Sequence, residues 1–151
     1  MSPDALLRAA REVREQCIGT KLRGAARAVT QHYDDALAET GIRSTQFSLL
    51  VALAHAPMMP LSKLAEVLVM DRTTLTRNLA PLLREGLIDE PAGEDRRVRF
   101  LALSARGREV LVEALPLWRE AQSTLVRALS PRDREDLARI LAQTVRTAHG
   151  G

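Results

Sequence analysis

The sequence contains a single cysteine, Cys17, in 151 residues. One cysteine excludes an intrachain disulfide and any zinc site that needs several thiolates. The three histidines, His32, His55 and His149, are far apart, and no two have the i, i+4 spacing that places imidazoles on one helix face. We therefore expect no bound metal, and no other cofactor is indicated.

Aromatic residues make up only 3% of the chain, so the core must be built from leucine, valine, isoleucine and alanine. No apolar run approaches the ~18 residues that span a bilayer. The first residues lack the basic segment and apolar stretch of a secretory signal. Together with 46% hydrophobic and 27% charged residues, this composition predicts a globular cytoplasmic protein without membrane contact.

Sequence signatures of catalysis are also missing. The chain has no glycine-rich phosphate loop, no nucleophile elbow, and no carboxylate pair at catalytic spacing on one helix face. Thiol chemistry would require a histidine beside Cys17, and nothing in the spacing indicates one. We therefore predict that the protein is not an enzyme.

The net charge of +3 is small, so an anionic partner must be inferred from where charges lie. The segment from Arg72 to Arg84 holds three arginines and no acidic residue. Arginine also makes up nearly all of the basic residues, which suits bidentate contacts with phosphate and guanine but also reflects genome composition. This local asymmetry marks the segment as a candidate nucleic-acid contact.

Apolar residues recur at helical spacing from residue 4 to residue 39, and Gly41 stands where a C-terminal cap belongs. Gly19 and Gly24 each weaken the middle of this helix by about 1 kcal/mol, so we expect a bend or break there. A second helix is predicted over 46–56. Its cap is Ser44 or Thr45.

The segment 61–107 has the organisation of a winged helix-turn-helix. A short helix begins at Ser62, and a second helix is capped by Asp71 and ended by Gly86. Two strands over 87–90 and 98–103 form a hairpin. Ser104 then caps a long helix, and another helix follows Ser130.

The predicted fold is therefore mainly α-helical with a small β-hairpin. A winged-helix unit over 44–107 is inserted between terminal helices at about 1–40 and 108–151. One side of these terminal helices is apolar and would bury poorly in a monomer, which predicts a homodimer.

The second helix of this unit has two faces at 100° per residue. Leu75, Leu79, Leu82 and Leu83 form an apolar side, and small polar and basic residues lie opposite, as a major groove requires. Two arginines at the hairpin tip are predicted to enter the minor groove or to contact phosphates. The residues predicted to contact double-stranded DNA are Ser62, Lys63, Arg72, Thr73, Thr74, Thr76, Arg77, Asp95, Arg96 and Arg97.

Alternative interpretations of this pattern stay open. The basic face of the helix could also be an ordinary solvent-exposed face that carries arginines. Asp95 is equally well explained as a turn former. A winged helix can also bind protein instead of DNA, although basic groups on both helix and wing argue against it.

Several motifs make the chain resemble the MarR family of bacterial transcriptional regulators, and the likeness extends over nearly the whole chain. The wing pattern Asp-x-Arg, followed by an apolar strand ending Leu-Ser-x-x-Gly, is the most specific in combination. The matching segments are 45–50, Leu64-Ala65, 71–77, 85–88, 95–97 and 103–107.

This resemblance implies an obligate dimer, a palindromic operator and a small effector or oxidant that changes DNA affinity, most commonly by relieving repression. It also implies that Thr73, Thr74, Thr76 and Arg77 face the major groove. Arg97 would then face the minor groove.

The sensor is predicted in two alternative forms. Some members of the family sense peroxides through a cysteine in the first helix, which makes Cys17 a candidate, although its place on an apolar stripe also suits inert packing. The family's other sensor is a pocket between the dimer helices and the DNA-binding unit. The candidate lining residues are His32, Tyr33, Phe47 and Trp118, which would suit a lipophilic or aromatic acid. The same four residues are also explained by ordinary packing between helices.

Overall fold

A computed structural model describes residues 1–93, 95 and 97–149. In this part of the chain there are seven α-helices and three short strands. They are α1 (Pro3–Gln16), α2 (Ile18–Leu37), α3 (Ser44–Leu53), β1 (Met59–Pro60), α4 (Leu61–Val67), α5 (Arg72–Arg84), β2 (Ile88–Asp89), β3 (Phe100–Leu103), α6 (Ala105–Arg127) and α7 (Pro131–Ala148).

The break in the first helical segment lies at Cys17 and not at the glycines, so the predicted position was wrong. Cys17 is extended (φ −66°, ψ 106°), and its amide donates to the Val13 carbonyl at the end of α1. The helix α2 then continues through both Gly19 and Gly24. Because α2 packs along α6, tertiary contacts outweigh the weak helix propensity of two glycines.

The next helix begins and ends earlier than predicted. Ser44 is its first residue and Arg43 its N-cap, whereas the sequence suggested a cap at Ser44 or Thr45. It ends at Leu53, before Pro57 and Pro60, because the next amides donate to carbonyls three residues earlier, as His55 does to Ala52.

The hairpin belongs to a three-stranded antiparallel sheet of order β1-β3-β2. Ile88 pairs with Leu103 in the predicted hairpin, and Met59 pairs with Leu101 on the other side of β3. The sequence did not indicate β1, since two residues ending in proline carry no alternating pattern. Both predicted strands are also shorter than expected.

The core lies in the winged-helix unit and in the first half of α6. It is built from leucine, as the scarcity of aromatic residues predicted. Its largest fully buried side chains are Leu37, Leu49, Leu50, Leu53, Leu64, Leu75, Leu79, Leu82, Ile88 and Leu101.

Ser104 joins the hairpin to α6. Its amide donates to the Leu87 carbonyl (3.2 Å) and its hydroxyl donates to the Gly86 carbonyl (2.7 Å). The same hydroxyl accepts from the Gly107 amide (2.9 Å), so the predicted cap is confirmed. A Cβ on Gly107 would lie 2.0 Å from the Leu87 oxygen, so only glycine fits at this contact.

The terminal helices α1 and α7 bury no residue in the protomer. Large apolar side chains are exposed on both, among them Leu6, Val13, Leu137, Ile140 and Leu141. None of the helices in the described residues has the length and apolar character to cross a membrane.

Candidate nucleic-acid interface

The helix α5 starts at a side-chain cap, as predicted. Asp71 accepts a hydrogen bond from the Thr74 amide (2.9 Å) and another from the Thr74 hydroxyl (2.6 Å). These bonds, led by the one from the Thr74 hydroxyl, lower the pKa of Asp71 below its usual value. A charged cap therefore fixes the first turn of the helix.

Three leucines anchor α5 to the core. Leu75, Leu79 and Leu82 are fully buried, and Leu83 is half-buried, so the predicted apolar side is present. The opposite side is exposed and carries small polar and basic groups. It consists of Arg72, Thr73, Thr76, Arg77, Ala80 and Arg84.

Thr74 differs from the other predicted DNA contacts in its surroundings. It is half-buried, and its hydroxyl hydrogen is donated to Asp71. Its contact with DNA stays a prediction. In the structure, Thr74 donates both of its hydrogen bonds to the N-cap residue Asp71.

The helix α4 precedes α5 and exposes both Ser62 and Lys63. The Lys63 ammonium lies 3.1 Å from Glu66, in an exposed ion pair that salt and solvent weaken. The turn to α5 contains Val69 in the left-handed region (φ 54°). This geometry lets the Met70 amide reach the Ala65 carbonyl (2.9 Å) and close the end of α4.

Asp95 folds the tip of the wing. Its carboxylate accepts from the Arg97 amide (2.8 Å), and its carbonyl accepts from the Val98 amide (3.0 Å). Asp95 thus has the local geometry of a turn former. The Arg97 side chain is exposed, whereas Arg96 lies outside the described residues.

Below the tip, two contacts fix the base of the wing. The Arg99 guanidinium forms an ion pair with Glu90 across the hairpin. The Phe100 ring lies so close to Gly93 that a Cβ there would approach a ring carbon to 2.2 Å.

Arg43 was not predicted, and the fold brings it next to Arg77. Both residues line a surface depression of about 400 Å³ together with Thr45 and Asn78. The Arg43 side chain is 79% exposed and lies 3.5 Å from Asp34 on α2. No sequence signal marks Arg43, because it lies 34 residues before Arg77 in the chain.

Asp34 also holds the start of α3. Its carboxylate accepts from the Ser44 amide (2.7 Å) and the Ser44 hydroxyl. Partial burial raises the pKa of Asp34, but these bonds and the charge of Arg43 outweigh burial and hold the pKa below its usual value.

A cavity of about 550 Å³ lies between the winged-helix unit and the helices α2 and α6. Three of the four residues predicted for an effector pocket line it: Tyr33, Phe47 and Trp118. Phe47 and Trp118 stack with ring centroids 6.0 Å apart. His32 does not line the cavity, and its Nε2 lies 3.0 Å from the Ala121 carbonyl of α6.

Cys17 lies half-exposed at the N-terminus of α2, outside the buried core of the protomer. Hydrogen bonding with Thr20 lowers the pKa of its thiol, and the charge of Arg23 contributes in the same direction. These surroundings favour the thiolate, which is the reactive form of cysteine.

Comparisons with known proteins agree with this geometry. A model of the MarR family matches residues 42–98. The transcriptional regulator HosA of Escherichia coli is 30% identical over 93 residues in strain O111:H-, covering 60% of this chain and 67% of HosA. HosA of strain O127:H6 is 28% identical over 103 residues, covering 68% of this chain and 76% of the relative.

Solved structures extend the likeness to nearly the whole chain. The transcriptional regulator MosR of M. tuberculosis, in complex with DNA, is 38% identical with a TM-score of 0.77, covering 87% of this chain and 99% of MosR. The transcriptional repressor CouR, bound to a 23-mer DNA duplex, is 26% identical with a TM-score of 0.77, covering 89% and 96% of the two chains. A MarR variant from E. coli, complexed with operator DNA, has a TM-score of 0.78 at 20% identity and covers 88% and 96%, which supports the fold alone.

Proposed function

Because the chain belongs to the MarR family of DNA-binding transcriptional regulators, we propose that it represses transcription as a homodimer on a palindromic operator and is released by a small lipophilic or aromatic effector. The single observation that carries the proposal is the exposed threonine and arginine face of α5, which lies directly opposite three fully buried leucines. The leucines fix the orientation of the helix. The polar face is narrow enough for a major groove.

We assign sequence reading to Thr73, Thr76 and Arg77 on this face. Arginine can donate two hydrogen bonds to guanine, and threonine can contact bases or phosphates. Arg97 on the wing is assigned to the minor groove, where a guanidinium group is attracted by the narrow anionic walls. Arg43, which shares a depression with Arg77, is assigned to a phosphate beside the groove.

The dimer is proposed to form through the terminal helices α1, α2, α6 and α7. Their exposed leucines, isoleucines and valines are too extensive to face water in a stable protein. To bind both half-sites, a twofold arrangement of these helices must hold two copies of α5 about 34 Å apart, one helical turn of DNA.

The effector is proposed to act in the cavity between α6 and the DNA-binding unit. Trp118 belongs to α6, whereas Val67 ends α4 and Leu68 follows it. A ligand in contact with both sides would favour one orientation of the unit over others. Because both half-sites must be engaged at once, a modest change in the spacing of the two recognition helices would weaken binding.

The decisive experiment is a footprint of the purified protein on the DNA upstream of its own coding sequence, combined with analytical ultracentrifugation. We expect a dimer that protects two inverted half-sites, with affinity that falls steeply as salt is added. A monomer without preference for any duplex over competitor DNA would contradict the proposal.

A second candidate, redox control through Cys17, is favoured by the lowered pKa of the thiol and its half-exposed place at a helix N-terminus. Oxidation to a sulfenic acid at the junction of α1 and α2 would then alter the dimer helices. We expect peroxide to reduce operator binding of the wild type and to leave Cys17→Ser unaffected. Equal loss in both proteins would remove Cys17 from the mechanism.

A further inference from the structure

The backbone at the start of α3 is held by side chains from two directions. Asp34 accepts a hydrogen bond from the Ser44 amide (2.7 Å) and another from the Ser44 hydroxyl. The Gln46 side chain accepts from the Arg43 amide (2.8 Å). Amides in the first turn of a helix have no partner within the helix, so these side chains fix two consecutive residues.

The two groups that hold this backbone belong to different parts of the fold. Gln46 lies on α3 itself, whereas Asp34 lies on α2, which packs along α6. The chain reverses between Asp34 and Ser44 through a turn at Gly41, where φ is 75°. The bond from the Ser44 amide therefore joins one of the terminal helices directly to the first residue of α3.

Arg43 lines two surface depressions at once. One also contains Arg77 and Asn78 of α5, and the other contains Asp34 and Asp35 of α2. The Arg43 guanidinium lies 3.5 Å from the Asp34 carboxylate and is 79% exposed, so this ion pair is weak. The backbone of Arg43 is thus held firmly, while its guanidinium can turn from Asp34 to a phosphate.

A fixed backbone favours binding by Arg43. A long side chain loses conformational freedom when it is held against a partner, and it loses less if its backbone is already in place. The Asp34 side chain is only 16% exposed, so water screens its bond to Ser44 less than it screens the exposed ion pair.

We propose that Asp34 is a positioning residue for DNA binding: through the Ser44 amide it holds the backbone of Arg43 where the guanidinium meets a phosphate. This inference rests on the assignment of Arg43 to a phosphate in the proposed function. It connects the terminal helix α2 to the DNA surface, although Asp34 itself carries a charge that DNA repels.

The sign of one substitution tests this role. Asp34→Ala removes the acceptor of the Ser44 amide, and we expect operator binding to weaken about fivefold, because Arg43 must then be ordered on binding. Fluorescence anisotropy measures the affinity under conditions where circular dichroism shows every variant to be folded. Tighter binding by Asp34→Ala would mean that the carboxylate acts only by repulsion, and would overturn the proposal.

A double-mutant cycle with Arg43 separates positioning from a general structural role. Arg43→Ala should weaken operator binding about tenfold and lower its salt dependence by about one counterion per protomer. In the Arg43→Ala protein, Asp34→Ala should weaken binding no further, because the residue that it positions is absent. Equal weakening by Asp34→Ala with and without Arg43 would overturn the proposal.

The conservative variant Asp34→Asn tests which property of Asp34 matters. Its side-chain oxygen can still accept from the Ser44 amide, whereas the negative charge is lost. We expect this variant to bind the operator within about twofold of the wild type, because the backbone bond remains. An Asn variant that binds as weakly as Asp34→Ala would assign the effect to the charge and contradict positioning through the backbone.

Asp35→Ala is the matched control for charge. Asp35 lines the same depression on α2, but its carboxylate accepts from Gln31 (2.7 Å) within that helix. The substitution removes a negative charge at nearly the same place and leaves the start of α3 untouched. Operator binding should not weaken, and a loss equal to that of Asp34→Ala would overturn the proposal.

Failure of the proposed function has a different signature. If Arg43→Ala leaves both operator affinity and its salt dependence unchanged, the phosphate assignment is wrong and this inference fails with it. If Arg43→Ala weakens binding but Asp34→Ala does not, only the positioning role is refuted.

Discussion

Among single residues, Arg77 is the one that we most expect to contact bases. It is exposed in the middle of α5. Leu75 and Leu79, on either side of it in the chain, are fully buried and hold the helix backbone in place. Its neighbours on the exposed face are small, so the guanidinium group is the longest donor that this helix turn offers.

We predict that Arg77→Ala weakens operator binding by roughly tenfold to a hundredfold and relaxes the preference at one base position, because a bidentate contact with guanine is lost. Fluorescence anisotropy with the operator and single-base variants measures both effects. Arg134→Ala, an exposed arginine on α7, is the control and should change neither. Unchanged base preference in Arg77→Ala would refute the major-groove assignment.

Gly107 lies in α6, where the lack of a side chain allows the helix to contact the hairpin at Leu87. We predict that Gly107→Ala lowers the free energy of unfolding by about 2 kcal/mol, because the added Cβ would lie 2.0 Å from the Leu87 oxygen and displace backbone. Chemical denaturation measures the change.

Gly24→Ala is the matched control. Gly24 lies within α2 and nothing stands within 4 Å of its added Cβ, so alanine should stabilise the helix by about 1 kcal/mol. Equal stability of the two variants would mean that the close contact at Gly107 is relieved without cost.

At the scale of elements, the turn between α4 and α5 is strained. Val69 is β-branched and adopts φ 54°, a region that costs such a residue free energy. The helix-turn-helix needs this geometry, since it brings Asp71 to the start of α5 within four residues of the end of α4.

We predict that Val69→Gly raises the free energy of unfolding by about 1 kcal/mol, because glycine adopts positive φ without strain. Thermal and denaturant unfolding measure the gain. Val67→Gly, two residues earlier at the last residue of α4, lies in ordinary helical geometry and should lower the free energy of unfolding by about 1 kcal/mol. A loss of stability in Val69→Gly would show that the turn is not strained.

In the whole molecule, the apolar sides of the two terminal helices are not covered by the described residues. The core occupies the winged-helix unit, while α1 and α7 bury no residue and expose their apolar sides. In the proposed function, recognition of two half-sites depends on how these helices join two copies, so we expect the dimer to affect affinity as much as any base contact does.

We predict that Leu141→Glu on α7 converts the dimer to monomer and reduces operator affinity by more than about tenfold, because a charge would be buried at the interface without a partner. Leu141 is 40% exposed in the protomer and lies outside its core, so circular dichroism should show an intact fold.

Gln143→Glu is the matched control on the opposite side of the same helix, where an added charge stays in water. Sedimentation and anisotropy should match the wild type for this variant. A Leu141→Glu protein that remains dimeric would exclude this face of α7 from the interface.

The helix-turn-helix could be predicted from the residues alone, because its signals are local. Asp71, Ser104 and Ser130 cap the helices that follow them, Gly41 and Gly86 adopt positive φ, and leucines spaced by three and four residues mark the buried side of α5. Each of these features depends on a few neighbouring residues, which a sequence displays directly.

Features that depend on segments far apart in the chain could be seen only in the folded protein. The strand β1 exists because β3 pairs with it, and α2 passes through two glycines because α6 supports it. Arg43 stands beside Arg77, and His55 replaces His32 at the cavity, because helices distant in sequence pack together. Packing across long separations sets these positions, and no local pattern of residue types encodes them.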